Sequence, residues 1–403
     1  MSELSYFEKL LDGVEVEWLP LGNVTKYEQP TKYLVKAKDY HDTFSIPVLT
    51  AGKTFILGYT DETHGIYEAS KTPVIIFDDF TTASKWVDFD FKAKSSAMKM
   101  ITSSDDIRFS LKYVYYWLNT LPSELVDGDH KRQWISNYAQ KKVPVPCPAN
   151  PEKSLAIQAE IVRILDKFTA LTAELTAELT MRKKQYNYYR DQLLSFEDGE
   201  VEWKTLEEVL VDKFWIMPAT PKFDDNGEIP YITSKNISGG NIDFERVKHI
   251  SRDDFLSISK NRPILKGDFL ISMIGTIGEI ARVKCLDPDF YGQNMYLIRL
   301  NEELLHPRYF LHFFDSPRMK FYFKSVKNNS GQGYLKANNI DGLSIPLPSI
   351  DEQQKIAFIL DKFDTLTNPI NEGLPREIEL RQKQYEYYRD LLFSFPKPDT
   401  VNQ

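Results

Sequence analysis

The chain carries one long segment twice, and this repeat limits what it can fold into more than any other feature. Residues 161–172 read IVRILDKFTALT and residues 356–367 read IAFILDKFDTLT, an offset of 195. Residues 182–196 read RKKQYNYYRDQLLSF against RQKQYEYYRDLLFSF at 381–395, an offset of 199. The second copy therefore holds four more residues between its two blocks, around Asn368–Leu380. The repeat extends outward. Val16-Glu17-Trp18-Leu19-Pro20-Leu21 resembles Val201-Glu202-Trp203-Lys204-Thr205-Leu206, and each helical copy is preceded by a Pro-x-Pro exit, Pro146-Cys147-Pro148 and Pro346-Leu347-Pro348. The order is lead-in, variable region, exit and helix, then the same again, so two related halves share a frame around divergent inserts.

The frame reads as helix. Ile157, Ile161, Ile164, Phe168, Leu171 and Leu175 follow heptad spacing. Leu179 adds another four-residue step, and Arg182, Tyr186, Tyr189, Leu193 and Phe196 resume the seam. Two four-residue steps in succession are a stutter, which locally unwinds a coiled coil. It coincides with a tandem tetrapeptide, Thr172-Ala173-Glu174-Leu175 and Thr176-Ala177-Glu178-Leu179. From Glu160 to Phe196 such a helix spans roughly 55 Å. In the second copy Ile356, Ile359, Phe363, Leu366 and Ile370 begin a seam that Ile378, Arg381, Tyr385, Tyr388, Leu392 and Phe395 continue. Pro369, Gly373 and Pro375 lie between and predict a kink or break. Like helices with matching seams are expected to pair with each other, antiparallel if a twofold relates the halves; the alternative is that each packs on its own domain. Tyrosines at the helix ends suit packing, and their spread over more than one face also suits docking of a second protein. Tyr186, Tyr189, Tyr385 and Tyr388 are the candidates.

Length and composition fit two or three globular domains: 403 residues, 42% hydrophobic and 27% charged. The opening residues lack a basic-then-apolar leader, and Cys147 and Cys285 lie far apart with no clustered ligands, so a cytoplasmic location without zinc or disulfide scaffolding is expected. A net charge of −8 argues against a nucleic-acid partner until it is counted by region. Pro20–Pro146 holds 16 basic and 15 acidic residues and Lys204–Ile345 holds 19 and 18. The acidity sits in the termini and connecting segments, and each variable region is near neutral.

Both variable regions show short β-like runs followed by a helix, Leu111–Leu121 in the first and Pro307–Phe323 in the second. They read as two copies of one mixed fold with diverged surfaces. Polar, basic or Gly-rich loops in each offer donors for base edges and phosphates. In the first region the candidate DNA contacts are Asp79, Thr81, Lys85, Trp86, Lys92, Lys94, Ser95, Lys131, Arg132 and Gln133. In the second they are Ser234, Lys235, Asn236, Ser272, Thr276, Gln293, Asn294, Lys327, Asn328 and Gln332. Any one of these loops reads equally as an ordinary solvated turn.

Catalytic signals fail on inspection. Gly52-Lys53-Thr54 lacks the preceding Gly-rich cradle of a phosphate loop, the required glycine position being Pro47. Asp287-Pro288-Asp289-Phe290-Tyr291 lacks the second proline of an adenine-methyltransferase tetrad, Glu279–Lys284 supplies no nuclease Glu-x-Lys, and the six histidines are scattered. No nucleophile–base set emerges, so no catalytic or metal site is assigned to this chain.

Two diverged domains, each followed by an LDKF…RxKQYxYYRDxLxSF helix, resemble the specificity subunit of a type I restriction–modification enzyme over essentially the whole chain. The tandem Thr-Ala-Glu-Leu is similar to that of the IC-like subfamily, in which its copy number is tied to target spacing. The resemblance implies an α+β chain: two mixed α/β target recognition domains joined by two long helices that form an antiparallel coiled coil with a pseudo-twofold. The corresponding boundaries are a lead-in at 1–19, domains at 20–148 and 200–348, and helical spacers at 149–199 and 349–403. It further implies that each domain reads half of a split double-stranded DNA target and that the helices dock two modification subunits. Restriction subunits would join that core. S-adenosylmethionine, ATP and Mg are expected on the partners, with no cofactor held by this chain. A lone nuclease or methyltransferase, and a protein-only coiled-coil scaffold, are the rival readings. Four helical residues add about 6 Å and a net turn near 40°, against about 3.4 Å and 34–36° per base pair, so one tetrapeptide nearly matches one base-pair step in rotation and less well in translation.

Overall fold

Each variable region is closed at its base by a strand pair made from the lead-in and the Pro-x-Pro exit. β1 (Val16–Pro20) runs antiparallel to β9 (Lys142–Pro146), setting Trp18 opposite Pro144, and β10 (Glu202–Thr205) does the same with β20 (Ser344–Leu347), setting Trp203 opposite Pro346. Prolines are tolerated because each pair is only two-stranded, so the missing N–H groups can face away from the ladder. The computed structural model describes residues 13–36, 38–52, 54–122, 132–197, 199–328, 333–367 and 373–396.

The chain divides into two units. The first comprises Met1–Glu174 with Glu379–Gln403, the second Leu175–Ile378. In the first, a four-stranded sheet has the order β2 (Thr25–Glu28), β8 (Met98–Ser103), β5 (Val74–Asp78), β6 (Ser84–Val87). Beside it lies a three-stranded sheet, β4 (Ile56–Thr60), β3 (Ile46–Leu49), β7 (Lys92–Ala93). In the second unit the four-stranded order is β11 (Leu210–Ile216), β19 (Met295–Leu300), β16 (Phe269–Ser272), β17 (Ile280–Arg282). The three-stranded order is β15 (Lys248–Ile250), β12 (Ile229–Ile232), β18 (Tyr291–Gly292). A further hairpin pairs β13 (Ile237–Ser238) with β14 (Asn241–Ile242). Both three-stranded sheets contain one parallel pair, β3–β7 and β12–β18, so the units share a topology down to strand direction. The inner strands β5 and β16 are buried at every position, as their unbroken apolar runs require.

The helices expected after the sheets are Leu111–Leu118 and Pro307–Phe314, and a second, Pro317–Val326, follows the latter. One unbroken helix, Pro151–Leu193, carries the first copy of the repeat; its 43 residues span roughly 65 Å. The second copy is two helices, Ile350–Thr367 and Leu374–Leu392. The break falls where Pro369, Gly373 and Pro375 predict it, with Gly373 at φ +84; Pro369 and Ile370 lie outside the described residues. Among the described residues no helix is long and apolar enough to cross a membrane.

The predicted seams are corrected in part. In the long helix Ile157, Ile161, Ile164 and Leu165 are buried, but Leu171 is exposed. In the second copy Ile356, Ala357 and Leu360 are buried whereas Ile359 and Leu366 are exposed. A helix lying on a domain buries a face with the natural 3.6-residue period, and a strict heptad drifts off that face within two turns.

Candidate nucleic-acid interface

The repeated motif has the same set of contacts in both units. Gln158, buried in the long helix, accepts from Ser110 N at 2.8 Å and donates to Arg108 O at 3.0 Å. Its counterpart Gln353 accepts from His306 N at 2.8 Å and donates to Leu304 O at 3.0 Å. Tyr113 donates to Pro144 O and Tyr309 to Pro346 O, tying each domain helix to its exit strand. The motif's aspartate then receives two donors four residues apart on that domain helix. Asp166 takes Lys112 at 2.8 Å and Tyr116 at 2.5 Å; Asp361 takes Arg308, and His312 Nε2 at 2.7 Å. Burial pushes the Asp361 carboxyl upward, but the hydrogen bonds from His312 and Arg308 and the guanidinium charge outweigh it and hold the group down at about 2. Burial, reinforced by the Asp166 hydrogen bond, pushes the Tyr116 phenol well up.

The motif's phenylalanine reaches the other copy. Phe168 stacks on Tyr388 at 5.3 Å and 24°, and Phe363 stacks on Tyr189 at 5.4 Å and 27°. In the first unit Trp18 Nε1 donates to Pro396 O, so the last helix runs toward β1–β9 while the long helix runs away from it. The paired segments are therefore antiparallel. In the second unit Leu194 joins the core cluster that holds Ile345 and Ile356, giving the same antiparallel sense. Each unit thus holds one domain clamped to a pair of half-helices, one from each copy of the repeat. The tetrapeptides Thr172, Ala173, Glu174, Leu175 and Thr176, Ala177, Glu178, Leu179 lie in the middle of the long helix, half-buried or exposed throughout, and the division between units falls between Glu174 and Leu175.

In the first unit the candidate loops converge. Asp79 O accepts from Gln133 N, Asp79 Oδ1 accepts from Trp134 N at 2.8 Å, and Asp79 N donates to Ala97 O. Asp79 itself is interior, with the Lys99 ammonium 3.4 Å from Oδ2, and it braces the loops instead of facing solvent. Lys92 is likewise interior: its ammonium donates to His64 O at 2.5 Å and pairs with Glu62 at 2.9 Å, committing its donors. Ser95 caps a turn through Ala97 N. Trp86 is half-buried under Lys112 and bonded to Asp88. Thr81, Lys85, Lys94 and Arg132 are exposed, with the Lys94 ammonium over the Tyr40 ring, and Gln133 is half-buried. Lys131 lies outside the described residues.

The second unit gathers its loops more closely. Thr276 Oγ1 donates to Ser234 O at 2.7 Å, Met273 N reaches Asn294 O, and Leu335 N donates to Met273 O. Asn328 and Tyr334 exchange backbone bonds, and Ile274 bridges Tyr334. Gly278, at φ +78, lies so near Phe323 that a Cβ would come within 2.7 Å of its ring, which seats the Pro317–Val326 helix on this turn. Asn236 and Ser272 are buried parts of these turns, Asn236 bonding Thr233 N and Asp243 O, Ser272 bonding Thr276. Gln293 accepts from Tyr231, Asn294 sits at φ +64, and Lys327 and Asn328 are half-buried. Lys235 and Thr276 are exposed; Gln332 lies outside the described residues. Charge and loop position marked these segments in the sequence, but long-range pairing decided which members turned inward.

Of the four docking tyrosines, Tyr186 is corrected in the same way. Tyr186 is buried and bonds His312 Nδ1 at 2.9 Å, and burial pushes its phenol well up; Tyr189, Tyr385 and Tyr388 take part in the ring contacts between helices. The most outward tyrosines are Tyr188 and Tyr387, 61% and 57% exposed, each edge-on to its neighbour at 5.5 and 5.4 Å, and Tyr189 is exposed as well. Their position just off the seam was the available signal. Among the described residues no cluster of metal-ligating side chains occurs.

A family model described as Type I restriction modification DNA specificity domain matches residues 199–380. The specificity subunit of the type I restriction enzyme EcoR124I/EcoR124II from Escherichia coli is 61% identical over 417 aligned positions, covering 100% of both chains. That of the EcoprrI enzyme, also from Escherichia coli, is 34% identical, covering 92% of this chain and 93% of its own. Among solved structures, the S subunit of a type I restriction–modification system from M. genitalium matches with a TM-score of 0.60 at 15% identity, covering 96% of this chain and 98% of that one, a likeness of fold.

Proposed function

The chain belongs to the family of type I restriction enzyme specificity subunits, and we propose that its domains at 20–148 and 200–348 each read one half of a split double-stranded DNA target. The family's role is DNA recognition within a multisubunit restriction–modification system, carried out without catalysis by this subunit. The observation that carries the two-halves reading is the repeated clamp. The same Gln, Asp and Phe of the frame fix both domains, while the loops gathered on them differ in every candidate contact. A shared mount under divergent surfaces suits two readers of different sequences. Thr81, Lys85, Lys94 and Arg132 in one unit and Lys235, Thr276, Gln293 and Lys327 in the other are the candidate DNA contacts. Asp79, Lys92, Asn236 and Ser272 shape the loops that present them.

The helices in this reading set the gap and carry two modification subunits, with Tyr188 and Tyr387 as the repeated docking pair; restriction subunits join the assembly. S-adenosylmethionine, ATP and Mg act on those partners in a cytoplasmic adenine methyltransferase and ATP-dependent endonuclease. Deleting Thr176–Leu179 tests the ruler, since one turn of helix is removed with a net rotation near 40°. Methylation mapping is expected to return both half-sites unchanged with a shorter gap. An unaltered gap would show that the tetrapeptide does not measure distance.

A further inference from the structure

The second unit has a cationic cleft. It encloses about 540 Å³ between the C-terminal part of the long helix and the Pro317–Val326 helix, lined by Lys183, Arg190, Lys320 and Lys324, with Asp315 as the acidic member. Arg190 is 4% exposed, its plane lies 4.5 Å over the Tyr186 ring, and its buried Nε has no hydrogen-bond partner. One Arg190 nitrogen is held by Asn187 at 2.8 Å. Lys320 pairs with Asp315, while Lys183 and Lys324 have no ion-pair partner among the described residues. A buried guanidinium left with an unsatisfied donor in a cation-lined hollow is poised for an anion, because the cost of that orphan is relieved only by an acceptor from outside or by water.

The repeat offset separates this cleft from the shared frame. Lys183 and Asn187 become Gln382 and Glu386 in the second copy, and Arg389, the counterpart of Arg190, is bound to its neighbour Asp390. A partner docking on the repeated helices would meet the same chemistry twice. Lys183 and Asn187, which line this cleft, are not repeated in the second copy of the helix.

Its helix also leads directly to the candidate loops. Lys320 and Lys324 stand four residues apart on one helical face, and Lys327, the extended C-cap, leads to Asn328, which bridges Tyr334, itself bridged to Ile274. We propose that this track, Lys320 and Lys324 with Lys183 and Arg190 behind them, grips backbone phosphates of the duplex beside the half-site read by the second domain. The inference rests on the DNA-reading role above and adds a sequence-independent hold in the second unit.

The test replaces Lys183, Lys320 and Lys324 together by Gln in the full-length chain, with the matching triple Lys→Arg variant as the charge-retaining control. Arg190 is left alone because its loss could unfold the helix pair. Binding to a target duplex and to a scrambled duplex is measured between 50 and 200 mM salt. The slope of log affinity against log salt is expected to fall by about 2–3, near 0.9 per lost phosphate contact, equally on both duplexes. The Arg variant should keep the slope, and methylated sites should keep their sequence and gap. An unchanged slope in the Gln variant overturns the proposal while leaving the DNA-reading role intact. So does a loss confined to assembly with modification subunits, which would mark the cleft as a seat for an acidic protein segment. If the unaltered chain retains no DNA in any assembly, the underlying role itself fails.

Discussion

The two units hold their domains with one acceptor and different donors. Asp166 is met by Lys112 and Tyr116, Asp361 by Arg308 and His312, and in both the donors stand four residues apart on the domain's own helix. The acceptor belongs to the repeated frame and the donors to the variable insert. A domain can therefore diverge freely provided its exit helix offers a cation and a second donor one turn later, with a tyrosine between them for the exit strand. The comparison teaches where divergence is allowed. Loops and cleft charges differ, whereas the Gln, Asp and Phe contacts agree to within about a tenth of an ångström in nearly every distance that can be compared.

Removing the shared stacking ring should have the largest effect and the most symmetrical one. Phe168→Ala and Phe363→Ala each leave a hole between half-helices, and at half-buried positions the cost is about 2–3 kcal/mol, below the range for a fully buried ring. Denaturant titration should return equal losses for the two variants; unequal losses beyond about 1 kcal/mol would break the equivalence of the units. A smaller effect is expected from the carboxylate. Asp361→Asn should cost about 1–2 kcal/mol at neutral pH, since Asp361 and Arg308 remain partly solvated although His312 is buried. Asp361 titrates at about 2 when folded and near 3.9 unfolded. Its contribution is thus complete above about pH 4 and lost as the pH falls from there toward 2. The Asn variant should converge on the parent protein over that interval; a difference that stays constant to pH 2 would show that the charge is not what binds the clamp.

Much of the architecture was legible because repetition is visible without knowing any contact. The second helix's break followed from Pro369, Gly373 and Pro375, and the shared domain fold from matching strand order. The clamp was not legible. Lys112-Tyr113-x-x-Tyr116 and Arg308-Tyr309-x-x-His312 look unrelated until both are seen to face an aspartate about fifty residues on. Asp79 and Lys92 were misjudged for a related reason. Charge suggested solvent, yet each is interior because a long-range partner, Lys99 or Glu62, compensates its burial. The heptad reading failed at Ile359 and Leu366 because the domain surface, with its helical period, took precedence over the seam.

The smallest effect on stability should come from Tyr188 and Tyr387, and that makes them the sharpest probe of what the repeat is for. Both are more than half exposed, both contact chiefly an adjacent tyrosine on their own helix, and neither belongs to a core cluster. Alanine at either position should change unfolding free energy by no more than about 0.5 kcal/mol. Large rings kept outward at equivalent positions in two units, where packing does not require them, fit a partner that binds the frame twice. Single variants should each weaken capture of one modification subunit of two, and the double variant both, read as stepwise loss of mass in the assembled complex. If both single variants leave assembly intact and the double variant does as well, Tyr188 and Tyr387 are not a docking pair. If only one of the two positions matters, the equivalence that holds for the clamp does not extend to its outer face.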